Sequence, residues 1–460
     1  MTHIIDERIK NVYFLGIGGI GMSALARYFK AVGYRVGGYD RTPSALTQKM
    51  QMEEGIEINY DDISEAIPSE FQDKHKTLLV YTPAVPDNNQ QMSFFREMGF
   101  TLHKRAEVLG MISRQGKAIC VAGTHGKTTI STMTAFLLQR SEIGCNAFLG
   151  GISANFGTNL LLDAHSSYIV IEADEFDRSF LHLSPTLAAI TSIDEDHLDI
   201  YQNKANLTEA FKSFAQLVSP TGVLFLKQGL VLPDIDRALY YGVETDAMCR
   251  AENLRVDNGL YIFDYYGRGV EIKNLKLGVP GRLNVENATI AIALALEAGV
   301  SLEEIRRALP DFRGVARRFN IHVNNTSVIY IDDYAHHPKE IEATLRSVRE
   351  IWPNKKVNVI FQPHLYSRTK DFYLDFARSL SLADNVLLLD IYPARELPIP
   401  GVTSQMICDN LTVSGTIKSK EEILSWLEQD FQDDIVITMG AGDIDRLVSR
   451  ITEILRCKNI

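Results

Sequence analysis

The segment Gly123-Thr124-His125-Gly126-Lys127-Thr128 constrains the fold of this chain more than any other. An apolar run at residues 118–122 precedes it, and residues 127–140 read as helix. Strand, glycine turn and helix in that order make a phosphate grip, because loop amides and the positive end of the helix face the anion. The same order commits the segment to a parallel α/β sheet. A strict P-loop places its first glycine five residues before the Gly-Lys pair. Val121 stands there, and Gly123 is three before Gly126, so this loop is shortened. Lys127 is expected to reach the β- and γ-phosphates of ATP, and Thr128 to hold Mg2+ through its hydroxyl.

A second glycine turn, Gly16-Ile17-Gly18-Gly19-Ile20-Gly21, follows a strand at residues 11–15 and opens a helix at 22–32. A second strand at 35–39 ends at Asp40, where an acid can bond a ribose hydroxyl. The pattern suits NAD or FAD. Any nucleotide diphosphate satisfies the same physics, a UDP-sugar included.

Further polar motifs sit at the ends of apolar runs. Glu172-Ala173-Asp174-Glu175 would repel itself unless a cation sat among the carboxylates, which suggests Mg2+. Asp194-Glu195-Asp196-His197-Leu198-Asp199 offers His197 to a second metal. Asp332-Asp333-Tyr334-Ala335-His336-His337-Pro338 and the stretch 361–369 fall at carboxyl ends of strands, where α/β sheets bind ligands. Adjacent His336 and His337 point opposite ways on extended chain, so substrate contact fits them better than one shared metal.

At 460 residues the chain exceeds one core, and three α/β domains in a row are the simplest division. The third is expected to begin with a strand at 327–331. Net charge is −11, which argues against a nucleic-acid face but not against small anions held by local amides. There is no long apolar run for a membrane span, and the first residues lack the order of a signal peptide. Five cysteines without a CxxC pair fit a reducing cytoplasm.

Taken in order, these motifs resemble the Mur ligases, the amide-forming family that builds the peptide stem of peptidoglycan. The resemblance covers essentially the whole chain. It rests on GIGGIGMS from Gly16, GTHGKTT from Gly123, EADE from Glu172, DEDHLD from Asp194 and GRLNVENA from Gly281. FRGVARRF from Phe312, DDYAHHP from Asp332, FQPHLYSRT from Phe361, YPARE from Tyr392 and MGAGD from Met439 complete it.

The resemblance implies an α/β fold of three consecutive domains. These are a Rossmann-like UDP-sugar-binding domain (1–113), a central P-loop-type ATP-binding domain (114–315) and a C-terminal Rossmann-like amino-acid-binding domain (316–460). It implies ATP and Mg2+ as cofactors, with UDP-N-acetylmuramate and L-alanine as partners. Gly16, Gly18, Gly19, Gly21, Asp40 and Thr82 are then expected at the UDP-sugar. Gly123, Thr124, His125, Gly126, Lys127, Thr128, Thr129, Asn284, Asn287, Arg318 and Asp333 are expected at ATP. Thr128, Glu175 and His197 would hold metal, and Tyr334, His336 and Arg368 would position alanine and the sugar carboxylate. Lys127, Glu175, His197, His336 and Arg368 form the catalytic set. A monomer or weak homodimer is expected.

Three positions depart from the family pattern: Leu283 for a histidine, Ser192 for an asparagine and Leu365 for an arginine. Lys212, fifteen residues after His197, matches a lysine that some relatives carbamylate; here an exposed helix lysine is expected. The alternatives are a ligase adding a ready-made tripeptide to the same sugar, an NAD(P)-dependent oxidoreductase, and a non-enzymatic ATP switch. The oxidoreductase leaves the shortened loop, the acidic motifs and the third domain unexplained, and a switch would not need six polar motifs facing one cleft.

Overall fold

A computed structural model describes residues 6–194, 198–325, 327–394, 396–432 and 434–457. The first sheet is built from β1 (Asn11–Leu15), β2 (Arg35–Tyr39), β3 (Glu57–Asn59), β4 (Thr77–Tyr81) and β5 (Leu102–Lys104). Between them run α1 (Ile20–Ala31), α2 (Ala45–Met52) and α3 (Gln90–Glu97), and α4 (Arg105–Ser113) follows β5. The strand order is β3-β2-β1-β4-β5, all parallel. Val12, Tyr13, Phe14 and Leu15 are all fully buried, as expected of a strand covered on both faces. The order reverses between β1 and β4, and that switch point opens a crevice at the carboxyl edge.

The second sheet centres on β6 (Lys117–Ala122), which leads to α5 (Lys127–Gln139). β7 (Asn146–Phe148), β8 (Leu160–Leu161), β9 (Tyr168–Glu172) and β10 (Pro185–Ile190) follow. Next come α6 (Leu198–Tyr201), α7 (Lys204–Gln216), β11 (Val223–Lys227), β12 (Ala238–Val243) and β13 (Cys249–Asp257). β14 (Leu260–Gly267), β15 (Val270–Lys276), α8 (Arg282–Ala298) and α9 (Leu302–Ala308) complete this stretch. The run β12-β11-β10-β6-β9-β7-β8 places β6 between β10 and β9, parallel to both. β10 ends at Ile190, short of the apolar run that continues to Ile193, and so releases Thr191 and Ser192 to side-chain work at the phosphate loop.

The third sheet has the order β16-β17-β21-β18-β19-β20. It is built from β16 (Asn320–Asn324), β17 (Ile329–Asp333), β18 (Val357–Phe361), β19 (Asn385–Leu388), β20 (Ser414–Ile417) and β21 (Ile435–Met439). Its helices are α10 (Pro338–Ile351), α11 (Tyr366–Leu380), α12 (Gln405–Cys408), α13 (Lys420–Gln429) and α14 (Val448–Cys457). The expected first strand is in fact the second. β16 precedes it, antiparallel to β17, and its alternation of polar and apolar residues suits an edge strand rather than a buried run.

The chain forms two compact units. One comprises Met1–Glu252, Tyr265–Lys273 and Asn287–Leu309; the other comprises Asn253–Asp264, Asn274–Glu286 and Pro310–Ile460. The first unit carries the first sheet together with β6 to β12, and these share one apolar core: Phe14 and Phe29 belong to the same cluster as Cys120, Ile171 and Phe180. Polar bonds join the same parts. Arg27 of α1 donates to Thr158 (2.7 Å) and Asn159 (3.1 Å), and Asn159 donates to the Ile20 carbonyl (2.6 Å). Among the described residues no helix is long and apolar enough to cross a membrane.

Phe180 ties this core to the acidic motif just before it. Its ring stacks on Phe214 at 5.0 Å and meets Phe211 edge-on at 5.2 Å. Phe180→Ala is expected to lower the unfolding free energy of the unit by about 3–5 kcal/mol. Urea titration checks this, and a loss below about 1 kcal/mol would contradict the shared core.

Candidate active site

Because β10, β6 and β9 are adjacent and parallel, their carboxyl ends bring Thr191 and Ser192, the glycine loop and Glu172 to one edge. The loop is bolted to Thr191 and Ser192. Gly123 has φ +131°, and a Cβ there would lie 2.0 Å from the Thr191 hydroxyl. The Ser192 hydroxyl lies 2.8 Å from that of Thr124 and accepts from the His125 amide at 2.9 Å. The Thr191 hydroxyl donates to the His125 carbonyl. His125 lies 3.2 Å from the Asp194 carboxylate. Ser192, which looked like a loss against the family pattern, is thus the residue that shapes the loop.

Gly126 caps α5 in the left-handed conformation, φ +81°. The first turn, Lys127-Thr128-Thr129, carries no acidic residue and no side-chain cap, so the positive helix end stays open to an anion. Thr128 and Thr129 are buried. Asn287 of α8 abuts the loop, its Oδ1 3.0 Å from where a Gly126 Cβ would be.

The acidic motif also meets a cation of the protein itself. Lys127 Nζ lies 2.6 Å from Glu175 and donates to the Gly123 carbonyl at 2.7 Å. Burial lowers the ammonium's pKa, but Glu175, then Asp174 and Glu172, outweigh it and hold the group above its usual value. The Glu172 carboxylate accepts from the Gly150 amide (3.1 Å), and Arg105 stands 3.8 Å from Asp174. Repulsion in EADE is therefore relieved by the protein itself. Tyr201 steadies the segment by donating to the Glu175 carbonyl at 2.6 Å.

Thr128 and Glu175 are hard oxygen donors of the kind Mg2+ takes alongside substrate phosphates. Among the described residues no group of three His, Cys, Asp or Glu is arranged to hold a metal alone. His197 lies outside the described residues. Lys212 is not the exposed lysine expected. Its Nζ is 2.6 Å from Asp234, and that bond holds the ammonium charged.

At the first glycine loop, the Gly18 amide donates to Asp40 at 2.6 Å, and Asp40 also accepts from Thr42 at 3.2 Å. Asp40 thus shapes the loop. Thr82 follows β4 on the far side of the crevice, its methyl 2.6 Å from where a Gly16 Cβ would be. Gly19 caps α1 without a side-chain bond, and no acid lies in the first turn.

In the second unit, Asp333 ends β17 and accepts from Thr344 (2.7 Å) and from the Ala335 amide (3.1 Å). The guanidinium groups of Arg317 and Arg318 lie 5.0 Å and 4.8 Å from the Tyr334 ring centroid. His336 Nδ1 is 2.9 Å from the Tyr334 carbonyl, and its ring meets that of His364 at 6.2 Å. His337 does different work, capping α10 and packing on Phe372. Arg368 is buried near the start of α11. Leu365, just before α11, holds φ +73°, an unfavourable conformation of the kind found at functional sites. Asn284 donates to the Pro280 carbonyl at 2.7 Å.

Mur ligase models match three stretches of the chain: the Mur ligase family catalytic domain at 11–117, the Mur ligase middle domain at 121–295, and the Mur ligase glutamate ligase domain at 317–442. The UDP-N-acetylmuramate–L-alanine ligase of Phocaeicola vulgatus is 52% identical over 456 residues, 98% of this chain and 99% of that one. The protein of the same name from Porphyromonas gingivalis is 49% identical, over 97% and 99%. The crystal structure of the UDP-N-acetylmuramate–alanine ligase of Thermotoga maritima aligns at TM-score 0.80 and 28% identity, covering 98% of this chain and all of that one.

Ser192→Ala removes the hydroxyl that buckles the phosphate loop. ATP affinity is expected to fall about tenfold by calorimetry, and a change under about twofold would contradict the role. Asp333 supplies a pH test. Burial pushes its carboxyl from 3.8 up to about 6, so the folded state takes the proton more readily than the unfolded one. The stability this gives is full below pH 4 and is lost as pH rises through about 6. Asp333→Asn is therefore expected to gain on wild type by up to about 2 kcal/mol between pH 4 and pH 7 in urea titrations. A difference independent of pH would refute the assignment.

Proposed function

The chain belongs to the Mur ligase family, and we propose that it joins L-alanine to the lactyl carboxylate of UDP-N-acetylmuramate in peptidoglycan precursor synthesis, using ATP. The observation that supports this most is the buried Lys127–Glu175 pair at the mouth of a shortened phosphate loop, in the same compact unit as a second, open glycine loop. One loop suits a γ-phosphate to be transferred. The other suits the diphosphate of the sugar that receives it.

The chemistry runs in two steps. A lactyl carboxylate oxygen attacks the γ-phosphorus, the bond to the ADP oxygen breaks, and an acyl phosphate forms. The amine of L-alanine then attacks the acyl carbon and loses a proton. The tetrahedral intermediate collapses to the amide as the C–O bond to phosphate breaks. Phosphoryl transfer of this kind needs position and charge neutralisation more than covalent help. Lys127 supplies the neutralising ammonium, and the open end of α5 adds its amides. Mg2+ held by Thr128 and Glu175 would neutralise further phosphate charge. In our assignment Gly123 to Thr129, Asn284, Asn287, Arg318 and Asp333 serve ATP. Gly16, Gly18, Gly19, Gly21, Asp40 and Thr82 serve the UDP-sugar, and Tyr334, His336 and Arg368 serve alanine. The functional division is 1–113, 114–315 and 316–460. The cytoplasm is the compartment proposed, where ATP is available and free cysteines stay reduced.

Purified protein given ATP, Mg2+ and UDP-N-acetylmuramate is expected to release phosphate only when L-alanine is added. A tripeptide in place of alanine should release none. Release that ignores the amino acid would sink the ligase reading. Lys127→Ala should cut turnover by at least about a thousandfold while UDP-sugar affinity in calorimetry stays within about threefold. Loss of sugar binding as well would show that the two sites are not separate.

A further inference from the structure

We propose that Arg105 binds the diphosphate of the UDP-sugar, a role that rests on reading the first glycine loop as the UDP-sugar site. Arg105 opens α4, directly after β5 and outside every glycine motif. Its guanidinium lies against the start of α1. A Cβ on Gly21 would be 2.8 Å from Nη1 and 3.3 Å from Cζ, so the last glycine of the loop makes room for this side chain. Only 21% of the side chain is exposed. A guanidinium carries five N–H donors, yet among the described residues Arg105 makes no hydrogen bond. Among the described residues its one ionic partner is Asp174, at 3.8 Å, beyond hydrogen-bond reach.

The neighbouring cation is committed elsewhere. Lys104 donates to Asp177 at 2.7 Å, which fixes the start of α4 against the acidic segment. Arg105 is thus held in place with its donors uncommitted, beside a helix end that has neither cap nor acid. A planar fork of donors next to open backbone amides is the arrangement that grips phosphate oxygens in pairs. Asp174 draws the guanidinium toward the acidic motif.

The test is calorimetry with UDP-N-acetylmuramate, UDP-N-acetylglucosamine and ATP on wild type, Arg105→Ala and Arg105→Lys. The two sugars share the diphosphate, and only the first carries a lactyl carboxylate. Arg105→Ala is expected to weaken both about tenfold or more and to leave ATP within about threefold; Arg105→Lys should recover part of the loss. In turnover, KM for UDP-N-acetylmuramate should rise while kcat stays within about threefold. Unchanged affinity for both sugars overturns the proposal. A loss confined to UDP-N-acetylmuramate also overturns it, in favour of a carboxylate contact, and a loss that extends to ATP marks a packing role instead. If wild type itself binds neither sugar, the assignment of the glycine loop fails first and takes the proposal with it.

Discussion

The ammonium of Lys127, buried between the Gly123 carbonyl and the Glu175 carboxylate, is the interaction around which the first unit is arranged. Taking two charges out of water costs several kcal/mol per ion, and such a pair returns that only with close geometry. It is therefore better understood as a prepared site than as a source of stability. Each surrounding feature serves it. β9 must lie beside β6 for Glu175 to arrive, Tyr201 must hold the Glu175 backbone, and Ser192 must set the curve of the loop. A transferring phosphoryl group spreads negative charge over its equatorial oxygens and, in the proposed reaction, would compete with Glu175 for the same ammonium.

The two glycine loops are one local solution used twice. Both leave the carboxyl end of a parallel strand and open a helix whose first turn lacks acids. They differ in what surrounds the loop. Thr191, Ser192 and Asn287 close around the second, whereas Asp40, Thr82 and Arg105 frame the first. A shared apolar core and the Arg27–Asn159 bonds set the two on one body, so the distance between the loops is a property of packing rather than of a linker.

Much of this was legible in the sequence, and the reasons are physical. Glycines at fixed offsets report backbone demands, so both loops and their flanking elements could be read locally. The carboxylates of EADE were legible as a cluster needing a cation. That Lys127 meets this cluster was not, because it stands 48 residues away and reaches Glu175 through the pairing of β6 with β9. Ser192 was hidden for a similar reason: its hydroxyl acts on residues more than 60 positions earlier. Lys212 looked exposed on a helical pattern until Asp234, 22 residues on, was brought to it. Edge strand β16 was missed because a short alternating run carries less signal than a buried apolar one. The family resemblance assigned roles across the whole chain; the contacts that give those roles a physical cause are mostly between elements.

The central claim is that the γ-phosphate passes to the sugar's carboxylate before the amide forms. UDP-N-acetylmuramate labelled with oxygen-18 in both lactyl carboxylate oxygens, turned over with ATP and L-alanine, tests it directly by mass analysis of the released phosphate. The account predicts one labelled oxygen in each phosphate, because the attacking carboxylate oxygen departs with phosphorus. Phosphate without label would contradict it.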